Sequence, residues 1–278
     1  MWATRPEAHN KAWEAELKTQ GWRVETCSLM SIKAVEDADG QALIRRCVQD
    51  LDLYSYVFFV SQNAVHAFFD WCEHYWPQLP IGVLFLGVGQ RTQQAINTKL
   101  MAMGGYQDSE KTPSFDHNSP MTSAELLDHA ITQNVKERRV LICRGRGGLP
   151  LLGETLADRG ARVDYCELYD RSLPENAPFQ VENLLAYSTR HCVPVFSGES
   201  LTGLHTILER ISANVADAHS LKTVVHFKAH VSLVVPSERV ACEAQRLGFT
   251  HIFRASNATE ASMLKAIEQG LQRFNSHH

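Results

Sequence analysis

Val140-Leu-Ile-Cys-Arg-Gly-Arg-Gly-Gly148 and the run that closes on Arg162-Val-Asp-Tyr-Cys-Glu-Leu-Tyr169 together read as strand, glycine-rich turn, helix and strand. The chain contains this unit twice. Residues 1–30 lie on residues 140–169 without a gap, and that frame matches Arg5 with Arg144, Leu17 with Leu156, Gly21 with Gly160, Arg23 with Arg162, Val24 with Val163, Cys27 with Cys166 and Leu29 with Leu168. Glu25 opposite Asp164 keeps the charge. So many coincidences in one frame point to a duplicated architecture.

The repeat continues out of order. Phe58-Phe-Val-Ser61-Gln-Asn-Ala-Val resembles Pro194-Val-Phe-Ser197-Gly-Glu-Ser-Leu, and Gly87-Val-Gly-Gln-Arg-Thr92 has a looser partner in Val234-Val-Pro-Ser-Glu-Arg239. Thr122-Ser-Ala-Glu125 and Asn257-Ala-Thr-Glu260 both read as capping boxes at helix starts. The first copy runs from residue 58 to residue 169; the second runs from 194 to 274 and finds its missing unit at residues 1–30. Two similar parallel-sheet α/β domains, flavodoxin-like or Rossmann-like, are therefore expected, one inserted into the other and joined by a two-strand linker. The expected boundaries are 1–30 with 176–278 for the discontinuous domain, 48–164 for the insert, and 31–47 and 165–175 for the crossings, which should act as a hinge.

The 278 residues, 44% hydrophobic and 21% charged, suffice for two cores. No apolar run approaches a membrane span and Met1 to Lys18 is too polar for a signal peptide, so a cytoplasmic protein is expected. Seven cysteines without a Cys-x-x-Cys pair read as buried free thiols. A net charge of −4 argues against a nucleic-acid binder, while arginines near strand ends leave room for an anionic small ligand.

Along the chain, helices are expected at 8–20 (closed by Gly21), 41–51, 64–75, 91–103, 124–134, 149–158, 180–188, 201–211, 238–247 and 258–274, with strands between them. Residues 107–120 read as an exposed loop, and 170–178 as an extended crossing because of its prolines. Ligands of such sheets bind at the strands' carboxyl ends, here expected in a cleft between the domains.

The motif set Thr4-Arg5-Pro6, Ser61-x-Asn63-Ala64-Val65, Val88-Gly89 with Thr92, Ser123-x-Glu125-x-Leu127, Leu168-Tyr169-x-Arg171, Phe196-Ser197 and Pro236-Ser237-x-Arg239 with Gly248 resembles, in order and spacing, the uroporphyrinogen-III synthase family. The family often has proline near Leu29-Met30 and serine where Gly198 stands, so these two places depart from it. The resemblance implies a lyase without cofactor or metal. It would close hydroxymethylbilane, an octacarboxylate, into the type III ring by losing water and inverting ring D in heme biosynthesis. It further implies a monomer whose partner is that small molecule, with transient contact to the enzyme that makes it, and no nucleic acid or membrane.

The same resemblance points to Tyr169 as the group that helps the hydroxyl leave; its counterpart in the first unit is Met30, so the fold does not need a phenol there. Ser61 and Ser197 sit at strand-to-helix junctions, where they read equally as helix caps and as parts of a carboxylate site. Ser61, Gln62, Asn63, Thr92, Ser197, Gly198 and Ser237 are expected to bind the acid arms, largely through backbone amides, with Arg5, Arg144 and Arg239 adding charge. Arg144-Gly-Arg-Gly-Gly148 lacks both nucleotide fingerprints and reads as a tight turn, His226-Phe-Lys-Ala-His230 as a solvated loop, and Phe58-Phe59 with Phe68-Phe69 as core. The competing classes are a two-domain anion-binding sensor without catalysis, which would usually be exported or fused to an effector, and a nucleotide-dependent transferase, which would need a fingerprint.

Overall fold

A computed structural model describes residues 1–104, 123–187, 191–213 and 218–275. In chain order the elements are β1 (Trp2–Ala3), α1 (Glu7–Thr19), β2 (Glu25–Thr26), β3 (Ser31–Ala34), α2 (Ala38–Gln49), β4 (Tyr56–Phe59), α3 (Gln62–Tyr75), β5 (Leu84–Gly87) and α4 (Gln90–Ala102). They continue as α5 (Ser123–Asp128), α6 (Ala130–Gln133), β6 (Arg139–Gly145), α7 (Leu151–Asp158), β7 (Arg162–Ser172) and α8 (Ala177–Tyr187). The last are β8 (Cys192–Pro194), α9 (Gly198–Ala213), α10 (Ala218–His230), β9 (Ser232–Val235), α11 (Glu238–Arg246), β10 (His251–Arg254) and α12 (Glu260–Asn275).

Two compact units result: Met1–Ile32 with Ser172–His278, and Lys33–Arg171. Residues 33–47 and 165–171, read from the sequence as crossings, group with the second unit and supply α2 and most of the end of β7. The reason lies in packing, since Ile44, Cys47 and Val48 of α2 and Cys166 and Leu168 of β7 are all buried. Helix α2 also starts three residues earlier than its composition suggested. Asp37 accepts from the Gly40 amide at 2.8 Å, and Gly40 fits inside the helix because a Cβ there would meet Val35 and Arg146.

The second unit carries a five-stranded sheet in the order β3-β7-β6-β4-β5, with β4–β5, β4–β6 and β6–β7 all parallel. The interior strand β4 explains itself: Val57, Phe58 and Phe59 are all fully buried, as a parallel strand covered on both faces requires. Phe58 joins Leu86, Ile142, Leu152 and Leu156 on one face. Phe59 points the other way, its ring 5.5 to 6.5 Å from those of Phe68, Phe69 and Phe85. Truncating one of these rings to alanine costs about 3–5 kcal/mol.

The first unit holds a parallel β10-β9-β8 sheet and a parallel β1–β2 pair. Pro194 lacks an amide for a ladder, and the Thr4 hydroxyl instead donates to the Pro194 carbonyl. Val193, Leu233 and Val235 pack toward Leu201, Leu204 and Leu208 of α9, whereas Cys192 and Val234 pack toward Trp13 and Leu17 of α1 and Met263 of α12. Both faces are therefore covered, the arrangement of a doubly wound α/β unit.

The duplicated stretch repeats in detail. Gly21 and Gly160 close α1 and α7 with φ of 82° and 84°, and in each copy the next amide, Trp22 or Ala161, returns to the carbonyl of the matched Leu17 or Leu156. Cys27 with Cys166, and Leu29 with Leu168, are buried in both units. Two local expectations change. His226 to His230 are helical, at the end of α10, with the two imidazoles stacked 4.0 Å apart. At α12 the cap is Thr259, whose hydroxyl accepts from the Ser262 amide at 3.3 Å, while Asn257 accepts from the Thr259 amide and Glu260 turns to Arg5. The box at Thr122 and the loop 107–120 lie outside the described residues.

Candidate active site

Parallel strands bring β4, β5, β6 and β7 of the second unit to one edge with their carboxyl ends together. Ser61 follows β4 in an extended conformation and caps α3, its Oγ accepting from the Ala64 amide at 3.1 Å. Its hydroxyl also lies 2.9 Å from that of Tyr169, and Arg171 Nη2 donates to the same phenol oxygen at 3.4 Å. The Arg171 guanidinium stands 5.5 Å from the Tyr169 ring centroid. Tyr169 itself is only 3% exposed.

How a residue of β7 comes to touch one at the end of β4 follows from the register. Arg144 pairs with Glu167, yet Gly145 pairs with Tyr169, so β7 carries one extra residue, Leu168, opposite this step of β6. Such a bulge re-aims the side chain that follows it. The Arg146 amide then bonds the Tyr169 carbonyl at 2.8 Å and locks the shifted pairing.

Gln62 and Asn63 occupy the first turn of α3, half-buried and with no side-chain hydrogen bond among the described residues. Thr92 is buried in the first turn of α4. That helix begins at Gly89, whose φ of 90° suits glycine and whose lack of a side chain leaves the first amides uncapped. Amides at a helix start without a side-chain cap can donate to a carboxylate.

Arg144 stands differently from the expectation. Its Nε and Nη2 donate to Glu167 at 3.2 and 3.0 Å, its Nη1 donates to the Gly148 carbonyl at 3.0 Å, and its guanidinium lies 4.0 Å from the Tyr165 ring centroid. The Gly147 amide also points to Glu167, at 3.3 Å. The anion that this glycine-rich turn holds is thus the chain's own carboxylate, and the charge of Arg144 is already matched.

In the first unit, Ser197 caps α9 by accepting from the Ser200 amide at 3.1 Å, and Ser237 caps α11 by accepting from the Val240 amide at 3.4 Å. With Ser61, all three serines repeat one bond from side chain to the amide three residues on. Gly198 and Arg239 are neighbours: a Cβ on Gly198 would lie 3.6 Å from Arg239 Nη1. Arg239 is exposed and has no ion pair or hydrogen bond among the described residues. Arg5, by contrast, is paired with Glu260 and stacked over Phe196 at 4.9 Å.

A family model described as uroporphyrinogen-III synthase HemD matches residues 11–265. The chain belongs to the uroporphyrinogen-III synthase family. It is 29% identical to the uroporphyrinogen-III synthase of Salmonella typhimurium over 273 residues, covering 95% of this chain and 98% of that one. With the Escherichia coli uroporphyrinogen-III synthase it shares 32% identity over 219 residues, 76% of this chain and 78% of that protein. Among solved structures, the uroporphyrinogen III synthase of Thermus thermophilus, as a triple methionine mutant, overlays with a TM-score of 0.53 at 17% identity, covering 98% of each chain. The Helicobacter pylori uroporphyrinogen-III synthetase gives 0.56 at 10% identity, over 88% of this chain and 92% of that one. At these identities the overlays speak for the fold.

Membership makes the chain an enzyme that acts on a small molecule. Among the described residues no helix is long and apolar enough to cross a membrane, and no three His, Cys, Asp or Glu side chains gather as a metal site. Two residues against the Tyr169 side chain stood outside the set expected from the sequence, Arg171 and Gly145. Arg171 was within reach, since it lies two places from Tyr169 on the same strand and therefore on the same face. Gly145 was not, because only the bulge brings it opposite Tyr169.

Proposed function

We propose that the chain is a cytoplasmic, monomeric lyase that converts hydroxymethylbilane to uroporphyrinogen III without a cofactor, meeting the enzyme that supplies the bilane only in passing. The observation that carries this reading, in a chain of this family, is the Tyr169 hydroxyl held between Ser61 and Arg171 at the carboxyl edge of the sheet. Arg171 only donates, so the phenol oxygen is an acceptor toward it. Ser61 and Tyr169 have two hydroxyl protons and one shared bond, so one proton is left to present to the substrate.

In the proposed reaction that proton goes to the leaving hydroxyl, the carbon–oxygen bond breaks, and water departs. The azafulvene cation then attacks the substituted carbon of ring D, the spiro intermediate opens, and the ring recloses inverted. The phenolate left on Tyr169 is stabilised by Arg171 and Ser61, and it regains a proton when the new ring rearomatises. Uncatalysed bilane closes without inversion, so most of the enzyme's work is positioning of a flexible polyanion. The amides at the starts of α3 and α4, and Arg239 beside the starts of α9 and α11, are the proposed carboxylate holders; Ser61, Gln62, Asn63, Thr92, Ser197, Gly198 and Ser237 supply them. The test is to give the purified protein hydroxymethylbilane and resolve the ring isomers. The type III isomer is expected; type I alone, at the rate of the enzyme-free control, overturns the reading.

A further inference from the structure

Neighbouring strands of a sheet lie roughly 4.8 Å apart, so β7 and β4, with β6 between them, are separated by about 10 Å. A tyrosine on β7 meets a serine at the end of β4 only by laying its ring across the strand between. The residue of β6 under that ring is Gly145. A Cβ built on Gly145 would lie 2.5 Å from Tyr169 Cε2, 2.9 Å from Cζ and 3.1 Å from Cδ2. Carbon atoms that are not bonded to each other do not sit closer than 3.0 Å, so a side chain there displaces the ring. The backbone of Gly145 makes no such demand, because its φ lies outside the left-handed region; Gly147, two residues on, is the glycine that the turn itself needs, with φ of 69°.

We propose that Gly145 is a positioning residue for the reaction: its missing side chain is the seat on which the Tyr169 ring lies, and the seat sets the bond between the Tyr169 hydroxyl and Ser61. The glycine-rich run after β6 thereby has a use unrelated to phosphate. Two features act together. The extra residue Leu168 brings Tyr169 opposite Gly145, and the bare Cα of Gly145 lets the ring pass flat over β6 to Ser61.

The effect on turnover rests on the reading of Tyr169 as proton donor, whereas the seat can be tested without it. In protein labelled with carbon-13 at tyrosine Cζ, the signal lost in Tyr169→Phe belongs to Tyr169, and both Gly145→Ala and Ser61→Ala should shift it. A Tyr169 signal unmoved by Gly145→Ala overturns the seat whatever the activity. In turnover of hydroxymethylbilane, Gly145→Ala should lower kcat about 10-fold or more with KM within about threefold, because a displacement near 1 Å suffices for losses of that order. Added to Tyr169→Phe, the same substitution should change kcat less than about twofold. An equal loss in both backgrounds would mean general damage and overturn the proposal. Tyr169→Phe with wild-type turnover would instead overturn the donor reading, with the labelled signal still deciding the seat. Should Gly145→Ala lower the melting temperature, it should lower it less in a Tyr169→Ala background, where the ring that the new methyl meets is gone; an equal drop in both backgrounds counts against the seat.

Discussion

Tyr169 on β7 and Ser61 at the end of β4 share a contact of 2.9 Å between their hydroxyls, 108 residues apart in sequence. The same Ser61 oxygen accepts from the Ala64 amide, so the cap of α3 and the proposed acid are one hydrogen-bonded group.

That sharing makes the two substitutions non-additive. Tyr169→Phe removes the proton donor and should lower turnover by about 10²-fold or more, the usual weight of a general acid. Ser61→Ala removes one partner of the donor and should cost about 1 kcal/mol in the barrier, roughly fivefold. The double variant should be no slower than Tyr169→Phe alone, because the bond that Ser61 contributes is already gone. Thermal unfolding separates the roles: Ser61→Ala loses a helix cap worth about 1 kcal/mol, whereas Tyr169→Phe keeps it. A Tyr169→Phe enzyme within twofold of wild type would leave positioning as the whole mechanism.

The matched glycines offer a test of the duplication. Gly21 and Gly160 share the left-handed conformation, and a Cβ on Gly21 would meet nothing within 4 Å. Gly21→Ala should therefore destabilise by backbone strain alone, about 1–2 kcal/mol. At Gly160 the added carbon would also lie 3.2 Å from Lys136 Cγ, so Gly160→Ala should cost more. Denaturant unfolding of the two variants checks the order.

What the sequence made legible, and what it did not, follows from the range of the interactions. Gly21 and Gly160 could be aligned because a helix end in the left-handed region needs glycine whatever surrounds it. The caps at Ser61 and Ser197 were legible as one of two readings, since each bonds an amide only three residues away, whereas the cap at Ser237 was not read. The start of α2 was missed because Glu36 to Gly40 reads as a turn, although Asp37 caps the helix by the same kind of bond, to the amide three residues on. Arg144 looked available because its partner Glu167 sits on the neighbouring strand, and the contact of Tyr169 with Ser61 depends on one extra residue in β7. No local pattern encodes those cross-strand contacts.

Six cysteines of the chain are buried and Cys242 is exposed. Burial pushes the Cys27 and Cys192 thiols up to about 12, far from the reactive thiolate. A thiol reagent at neutral pH should therefore modify Cys242 rapidly in the native protein and all seven cysteines only after unfolding. Mass spectrometry that finds Cys27 or Cys192 labelled as fast as Cys242 would contradict this packing.

His205 links the first unit to pH. Burial, then the Lys228 ammonium, hold its imidazole below the usual 6.5, against the opposing pull of Glu209 and Glu243. The folded chain thus binds its proton less readily than the unfolded chain. The stability involved is complete above pH 6.5 and is lost as pH falls through the lower folded value. His205→Gln should flatten the decline of the melting temperature in that window. An unchanged pH profile would show that His205 contributes nothing to it.

Arg144 and Arg239 were equal candidates for holding acid groups of the substrate, and their surroundings predict opposite phenotypes. Arg144 already spends its donors on Glu167 and Gly148, so Arg144→Met should strand the partly buried Glu167 carboxylate and lower stability by roughly 2 kcal/mol, as loss of a hydrogen bond to a charged group does. Arg239 is exposed, lies beside Gly198 at the start of α9, and has no partner among the described residues, so Arg239→Met removes a charge that the fold does not use. Its melting temperature should stay put while KM for hydroxymethylbilane rises several-fold with little change in kcat, the signature of binding shared by ground and transition states. Because an exposed charge is screened, the difference from wild type should also shrink as salt rises. If Arg239→Met changed stability and left KM alone, the guanidinium would be a structural group and the carboxylate site of the first unit would consist of backbone amides only.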